Sequence, residues 1–224
     1  MVGHEFRRVV ACAVATNSRT RCRPCRTRDR ADRHRGRLSG GDRGFRRPEK
    51  IALISQVLVP GAEPRWATDA VEDADIVVLA IPLHKFAAFH PALVADKLVV
   101  DTMNYWPPID GVQEMFENRQ YGSSEIVQHR LTRSTVVKTL NHVGYHELED
   151  ERRPESSPER NALGVAGDDP DAVDVVADVI ERIGYDAVRL DSLSAGSILQ
   201  PGGPVFGASL RRTEFERAIH AEAA

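Results

Sequence analysis

No cysteine follows Cys25 in this chain of 224 residues. The three present, Cys12, Cys22 and Cys25, are odd in number and confined to the N-terminal stretch. That excludes the disulfide framework of a small secreted domain. Cys22-Arg-Pro-Cys25 has the spacing of half a zinc site, but no second pair follows and His34 alone completes nothing, so no metal site is expected. No apolar run approaches the roughly 20 residues of a membrane span, so no membrane association is expected. Residues 9–15 (VVACAVA) follow Arg7 and Arg8 much as the core of a signal peptide would. The run is at the lower limit, however, and an Arg-rich stretch stands where a mature terminus would begin. The expected compartment is therefore the cytoplasm. The sequence also lacks a Ser–His–Asp signature.

What is present is divided by charge. Residues 1–48 hold 14 Arg against 4 acidic residues, while the remainder carries an excess of 13 negative charges. Apolar residues make up 42% and charged residues 28% of the whole, which suits one good-sized soluble core. The basic arm could neutralise phosphates, but its only aromatic residues are Phe6 and Phe45, so it offers no stacking platform and nucleic acid is not the expected partner. Arg-rich runs of this kind are usually solvated.

From residue 48 onward the pattern alternates between strand and helix. Ile76-Val-Val-Leu-Ala-Ile81 is a continuous apolar run ending at Pro82, the signature of a strand buried on both faces. A helix is expected over 84–94 from the spacing of Phe86, Phe89 and Leu93. A strand over 97–101, a helix over 124–131 and strands over 135–140 and 162–166 follow. Asp168 and Asp169 can cap the next helix, Pro170 suits its first turn, and Ala172, Val173, Val176, Val179, Ile180 and Ile183 form one face that Gly184 ends. A strand over 185–190 comes next. Upstream, 48–58 reads as a helix and 65–68 as a short edge strand. Residues 149–160 read as a surface loop, and the tail from Arg211 has helical character. The fold class is α/β, a doubly wound and mainly parallel sheet.

Ligands of open α/β sheets bind beyond the carboxyl ends of the strands. Those ends hold Pro82-Leu83-His84, Thr102-Met103-Asn104-Tyr105-Trp106, Asn141-His142-Val143-Gly144 and Gly167-Asp168. Each group alone is ordinary turn chemistry. Together they line the edge where this architecture takes dinucleotides.

The stretches VVLAIP (77–82), VVDTMNYWPPIDG (99–111), VVKTLNHVGYHELED (136–150), GVAGDDP (164–170) and LQPGGPVFG (199–207) resemble the NADP-dependent reductases of the deazaflavin coenzyme F-420. The wider group includes the pyrroline-carboxylate-reductase-like Rossmann proteins. The resemblance covers about residues 48–207. It implies a Rossmann-like fold and hydride exchange between NADP and a second redox cofactor, in the type case the deazaflavin ring. The partners it implies are thus small-molecule redox cofactors. It implies that Ala80, Ile81, Pro82 and Leu83 border the NADP path, that Asn104 sits near the nicotinamide end, and that Asn141, His142 and Val143 flank the second ring. None of these is expected to act as a catalytic acid or base. Lys138 either orients a phosphate or carboxamide, or forms an ion pair at a strand end. Met103, Tyr105, Trp106 and Phe116 could form an interface or a ring pocket, and proteins of this kind often pair, so a homodimer is an open expectation.

One family feature is missing. A Gly-rich fingerprint should follow the first strand, and residues 1–47 contain no Gly-x-Gly-x-x-Gly. Permitted codons for Arg21-Cys-Arg-Pro-Cys-Arg26, shifted by one base, can read Gly-Ala-Gly-Arg-Ala-Gly. The shifted series continues as an apolar-faced helix and a second strand that run into Pro48. A frameshifted N-terminus is therefore expected, with the first βαβ unit degraded. Residues 9–15 could serve as a surrogate strand, but the following Thr16-Asn-Ser-Arg-Thr20 has no glycine and would crowd a pyrophosphate. Three parts are expected: 1–47 aberrant, 48–210 Rossmann-like and NADP-binding, and 211–224 a helical tail. The chain as written is expected to bind NADP weakly or not at all. Two alternatives stand beside this: an NADP-dependent reductase of a small imine or similar substrate on the same fold, and a non-enzymatic remnant with a basic arm.

Overall fold

The computed structural model describes residues 9–12, 65–117 and 120–222, all within one compact unit of the chain. Its centre is a six-stranded sheet of β1 (Val9–Cys12), β2 (Ile76–Leu79), β3 (Leu98–Asp101), β4 (Thr135–Lys138), β5 (Ala162–Gly167) and β6 (Asp186–Leu190), side by side in that order. Four of the five pairings are parallel; β4 and β5 run antiparallel. The α/β class with a mainly parallel sheet is thus observed. Residues 9–12 lie beside β2, with Val9 opposite Ile76 and Cys12 opposite Leu79, the slot expected of a surrogate strand.

The helices among the described residues are α1 (Ala67–Glu72), α2 (Pro107–Asp110), α3 (Ser123–Arg130), α4 (Tyr145–Asp150), α5 (Pro170–Arg182) and α6 (Arg212–Glu222). The two-residue period of the strands sorts their side chains onto two covered faces. Val77, Leu79, Val99 and Val136 pack with Phe86, Phe89, Phe116, Val127 and Leu131. Ile76, Val100 and Val137 pack with the buried stripe of α5, Ala172, Val173, Val176, Ala177 and Ile180. Because both faces are covered, the strands read as unbroken apolar runs. Asp169 caps α5, its Oδ1 accepting from the N–H groups of Asp171 and Ala172 at 3.0 and 3.2 Å. Asp168 does not share in this; it accepts from the Leu193 N–H instead. Beyond the helix, Gly184 turns the chain at φ +104°, a conformation that a side chain would resist.

Three expectations are corrected. The helix over 84–94 is two 3-10 segments, Leu83–Ala88 and Pro91–Val94. Pro91 has no N–H to donate and holds His90 extended at ψ 111°, so one continuous helix cannot form. Phe86, Phe89 and Val94 still reach the core. The edge strand over 65–68 is instead the approach to α1: Trp66 is extended, and its carbonyl accepts from Ala70 N–H to close the first turn. That geometry buries Ala70 and Val71, which a strand there would not.

The third correction concerns the sheet's direction. Val137 pairs with Gly167 and Lys138 with Ala166, so β5 enters from beyond the tip of β4 and runs back along it. Gly167 therefore lies level with Val137, one residue short of the β4 tip, and the chain runs on from it through Asp168 toward the opposite edge, away from the tips of β2, β3 and β4. The connection from β4 contains only the six-residue α4, about 9 Å of helix, and so has no long crossover helix of the kind a parallel return uses. The expected helix over 48–58 and the glycines at 40, 41 and 44 lie outside the described residues. Of the expected loop 149–160, the first two residues end α4 and the rest is turns.

Helix α6 is joined to this core. Phe215 is fully buried with Leu199, Val205, Ala162 and Val188. A Cβ on Gly164 would come within 3.0 Å of its ring. No described helix is long and apolar enough to cross a membrane. Phe215→Ala should lower stability by about 3–5 kcal/mol. Urea unfolding of the full chain measures this, and a loss below about 1 kcal/mol would detach α6 from the cooperative core.

Candidate functional site

The tips of β3 and β4 are fixed by one buried pair. Asp101 and Lys138 are opposite one another in the register, and both are fully buried. Lys138 Nζ lies 3.6 Å from Asp101 Oδ2 and donates to the Met103 carbonyl at 3.1 Å. Asp101 also accepts from Ser124 Oγ at 2.6 Å and from Met103 N–H at 2.9 Å. Burial pushes the Lys138 ammonium below its usual range, and Asp101 opposes that push. Of the two sequence readings of Lys138, the ion pair is the one observed. The lysine is enclosed: a Cβ on Gly196 would stand 3.3 Å from its Cδ.

Past this pair, Leu140 takes a left-handed conformation at φ +65°. That conformation costs an L-residue on the order of 1–2 kcal/mol. It turns the chain so that two asparagines from neighbouring tips meet. Asn104 Nδ2 donates to the Asn141 carbonyl at 2.6 Å, and Asn141 Nδ2 donates to Asn104 Oδ1 at 3.0 Å and to the Leu199 carbonyl. Asn141 Oδ1 is buried and has no partner among the described residues.

His142 is buried behind the asparagines. Its Nε2 accepts from Gly164 N–H at 3.2 Å, and its carbonyl accepts from Gly207 N–H at 2.8 Å. Its ring meets Phe215 edge-on at 6.0 Å. With Nε2 accepting, the neutral ring carries its proton on Nδ1, which has no partner among the described residues. Burial first, and the positive Lys138 second, lower its pKa to about 3.

Around these groups lies a cavity of about 370 Å³. Asn104, Asn141, His142 and Val143 line one side and residues 206–209 the other. Its size is at the lower end of small-molecule sites, enough for one ring system and too small for a whole dinucleotide. A second hollow, of about 270 Å³, is lined by Glu155, Arg160, Asp178, Glu181 and Arg182, of which Arg160 and Glu181 form an ion pair at 3.1 Å. All five of these side chains are charged, which suits a ring poorly.

The expected site residues thus fall into two groups. Asn104, Asn141, His142 and Val143 are brought together. Ala80, Ile81, Pro82 and Leu83 leave the tip of β2, tied to the next tip by Thr102, whose N–H and Oγ1 both donate to the Leu79 carbonyl. Ile81 and Leu83 bury their side chains in the core, so only Ala80 and Pro82 present theirs outward. The sequence reading did not list Gly144, Glu147 or residues 206–209 as site residues. The signal for Gly144 and Glu147 was the VVKTLNHVGYHELED stretch, and for Phe206 and Gly207 it was LQPGGPVFG. Gly203 within it is required because a Cβ there would stand 2.1 Å from the Ile198 carbonyl oxygen.

A mainly parallel α/β sheet with a ligand-sized hollow beyond its strand tips is the layout of the dinucleotide-binding proteins. Within the chain, residues 43–105 match the family model described as NADP oxidoreductase, coenzyme F420-dependent. No curated protein matches the chain. Among solved structures, a hypothetical protein of Sinorhizobium meliloti, SMa0349, is 25% identical over 74% of this chain and 80% of its own, with a TM-score of 0.63. A candidate F420-dependent NADP reductase of Arthrobacter sp. FB24 is 21% identical over 59% of this chain and 62% of its own, with a TM-score of 0.47. A pyrroline-5-carboxylate reductase of Coxiella burnetii is 15% identical over 78% of this chain and 55% of its own, with a TM-score of 0.43.

The histidine makes a stability prediction with a definite sign. Unfolded His142 takes up its proton near pH 6.5, and the folded one only near pH 3. Between those values the unfolded state binds more protons, so stability falls as pH falls, by up to about 1.4 kcal/mol per pH unit. His142→Gln, whose Oε1 can accept from Gly164 N–H, should flatten that slope while leaving stability at pH 8 less changed. Urea midpoints between pH 4 and 8 compare the two, and parallel profiles would show that the ring titrates alike in both states.

Proposed function

We propose that this chain descends from, and retains the ring-binding half of, an NADP-dependent oxidoreductase that passes a hydride between NADP(H) and a deazaflavin-type cofactor. The observation that carries the reading is the meeting of Asn104 and Asn141 at the tips of β3 and β4, beside the cavity, in a chain whose residues 43–105 match that family's model. The orphaned Asn141 Oδ1 and His142 Nδ1–H support it: a buried acceptor and a buried donor without partners are costly until a polar ligand meets them. NADPH, when bound, supplies a hydride from its nicotinamide ring to a flat acceptor.

The residues present fit the ring end of such a reaction. Asn104 and Asn141 hold each other, so their amide groups are pre-set to orient a ring edge by hydrogen bonds. His142 keeps its proton on Nδ1 at neutral pH and acts as a hydrogen-bond donor, since a pKa near 3 leaves it uncharged. No acid or base is needed at the reacting carbons; position and desolvation are the protein's part. The pyrophosphate end is different. The sequence before residue 43, where the family match begins, holds no Gly-x-Gly-x-x-Gly. We attribute this to a shift of reading frame over residues 21–47, which would replace the phosphate-binding turn with an Arg-rich segment.

Isothermal titration with NADPH tests the reading on two proteins: the chain as written, and a chain in which residues 21–47 carry the shifted reading. The first should bind more weakly than micromolar. The second should bind at micromolar levels and reduce a deazaflavin, followed at the deazaflavin absorbance band. A repaired chain that binds no NADPH overturns the reading. Micromolar binding by the unrepaired chain overturns its frameshift part.

A further inference from the structure

We propose that Trp106 and Phe206 form an aromatic wall that stacks on a flat, fused-ring redox cofactor held in the Asn104–Asn141 cavity. The inference rests on the hydride-transfer reading and adds to it the residues that select its flat heteroaromatic acceptor over a small imine. Sequence reading left Met103, Tyr105, Trp106 and Phe116 as a group. The structure separates them. Met103 and Phe116 are core, and Tyr105 packs on Phe116. Trp106 alone turns out, 43% exposed, and its ring lies 6.3 Å from that of Phe206, tilted by 52°. Phe206 lines the cavity, and so does Asn104, two residues before the indole.

An exposed indole is usually a loose surface group, but this one is held at its base. Asp110 Oδ2 accepts from the Trp106 N–H at 2.9 Å, while Asp110 Oδ1 accepts from the His84 N–H at 3.3 Å and lies 3.0 Å from His84 Nδ1. The loop that carries Trp106 is thereby tied to the tip of β2. The backbone is fixed and the indole is left 43% exposed beside the Phe206 ring, an arrangement that lets stacking proceed with little ordering cost. A small saturated or imine ring has no extended π-face to gain from it. A tricyclic ring does.

The test uses the full chain and 5-deazariboflavin as the probe, without NADPH. Trp66→Phe leaves Trp106 as the single indole, since the chain has two. Its emission should then be quenched saturably by the probe, after inner-filter correction, and not by proline, a small saturated ring. Equilibrium dialysis should show that Trp106→Ala and Phe206→Ala each weaken probe binding by about tenfold, as expected for losing one aromatic stack. Trp106→Phe should restore most of the affinity, which a merely structural role would not explain. Failure of the full chain to bind the probe overturns the proposal, as does unchanged affinity in Trp106→Ala. Probe binding that behaves as expected, with no NADPH oxidation by the repaired chain, supports the aromatic wall and counts against the hydride-transfer reading instead.

Discussion

The architecture of the strand tips hangs on a charge pair that water never reaches. Asp101 and Lys138 face each other across the last register position of β3 and β4. Two buried charges are expensive to bring out of water, and such a pair seldom stabilises a fold more than well-packed apolar residues would. Its effect here is on position. Asp101 holds the Met103 amide and the hydroxyl of Ser124 on α3, while Lys138 holds the Met103 carbonyl. The chain leaving β3 is thus fixed at both backbone groups of one residue, Met103, before it reaches Asn104. With β4 locked to the same pair, the left-handed Leu140 delivers Asn141 to the place where Asn104 waits. The asparagine clasp is a consequence of the ion pair, three residues downstream on each strand.

The reversed β5 turns that clasp into a site. A strand parallel to β4 would end near the same tip and leave the clasp open to solvent. Running antiparallel and offset, β5 projects past the tip, so Gly164 N–H meets His142 and Phe215 of α6 backs the ring. The turns after Leu199 then close the far side, and the cavity has a wall it would otherwise lack. The same enclosure explains the unusual histidine. Burial and the neighbouring Lys138 both oppose a second proton, which leaves the Nδ1–H, like the Asn141 Oδ1 beside it, without a partner among the described residues.

The sequence made some of this legible and some not. The strands could be read because burial on both faces removes polar residues, leaving runs such as Ile76–Leu79 that no surface element would carry. Helix α5 was legible because its cap, its proline, its apolar stripe and its terminal glycine all agree. The direction of β5 was not, since a six-residue apolar strand reads the same either way and only the chain length before it hints at an antiparallel return. The split of 84–94 was missed because Phe86 and Phe89 reach the core equally well from a 3-10 turn; Pro91 was the signal available. At the site, Asn104, Asn141, His142 and Val143 were found by resemblance and by their place after strands. Ile81 and Leu83 could not be told from ligand-facing residues, because an apolar residue after a strand serves the core or a ring with the same chemistry. Phe206 lay in a Gly-Pro-rich stretch whose period gives no face at all.

The strand over residues 9–12 shows why a fold and its ligand site differ in what they tolerate. A place beside β2 asks for four extended residues whose backbone can meet Ile76–Leu79; almost any apolar β-former answers it. The sheet is thereby completed, and no buried N–H or carbonyl of β2 is left facing an empty edge. A pyrophosphate asks for more. Its oxygens need backbone N–H groups brought close by residues without a Cβ, at the mouth of a helix. Thr16-Asn-Ser-Arg-Thr20 has the length for a turn and none of the glycine. An altered segment can therefore satisfy the sheet by composition alone while failing the cofactor by geometry. Among the described residues, the cavity is lined by groups that follow the tips of β3 and β4 and by residues 206–209, and those tips are tied down by Asp101 and Lys138. In the proposed reading the two ends of the cofactor make different demands on the chain: placed amide groups at the ring, and close backbone approach at the pyrophosphate.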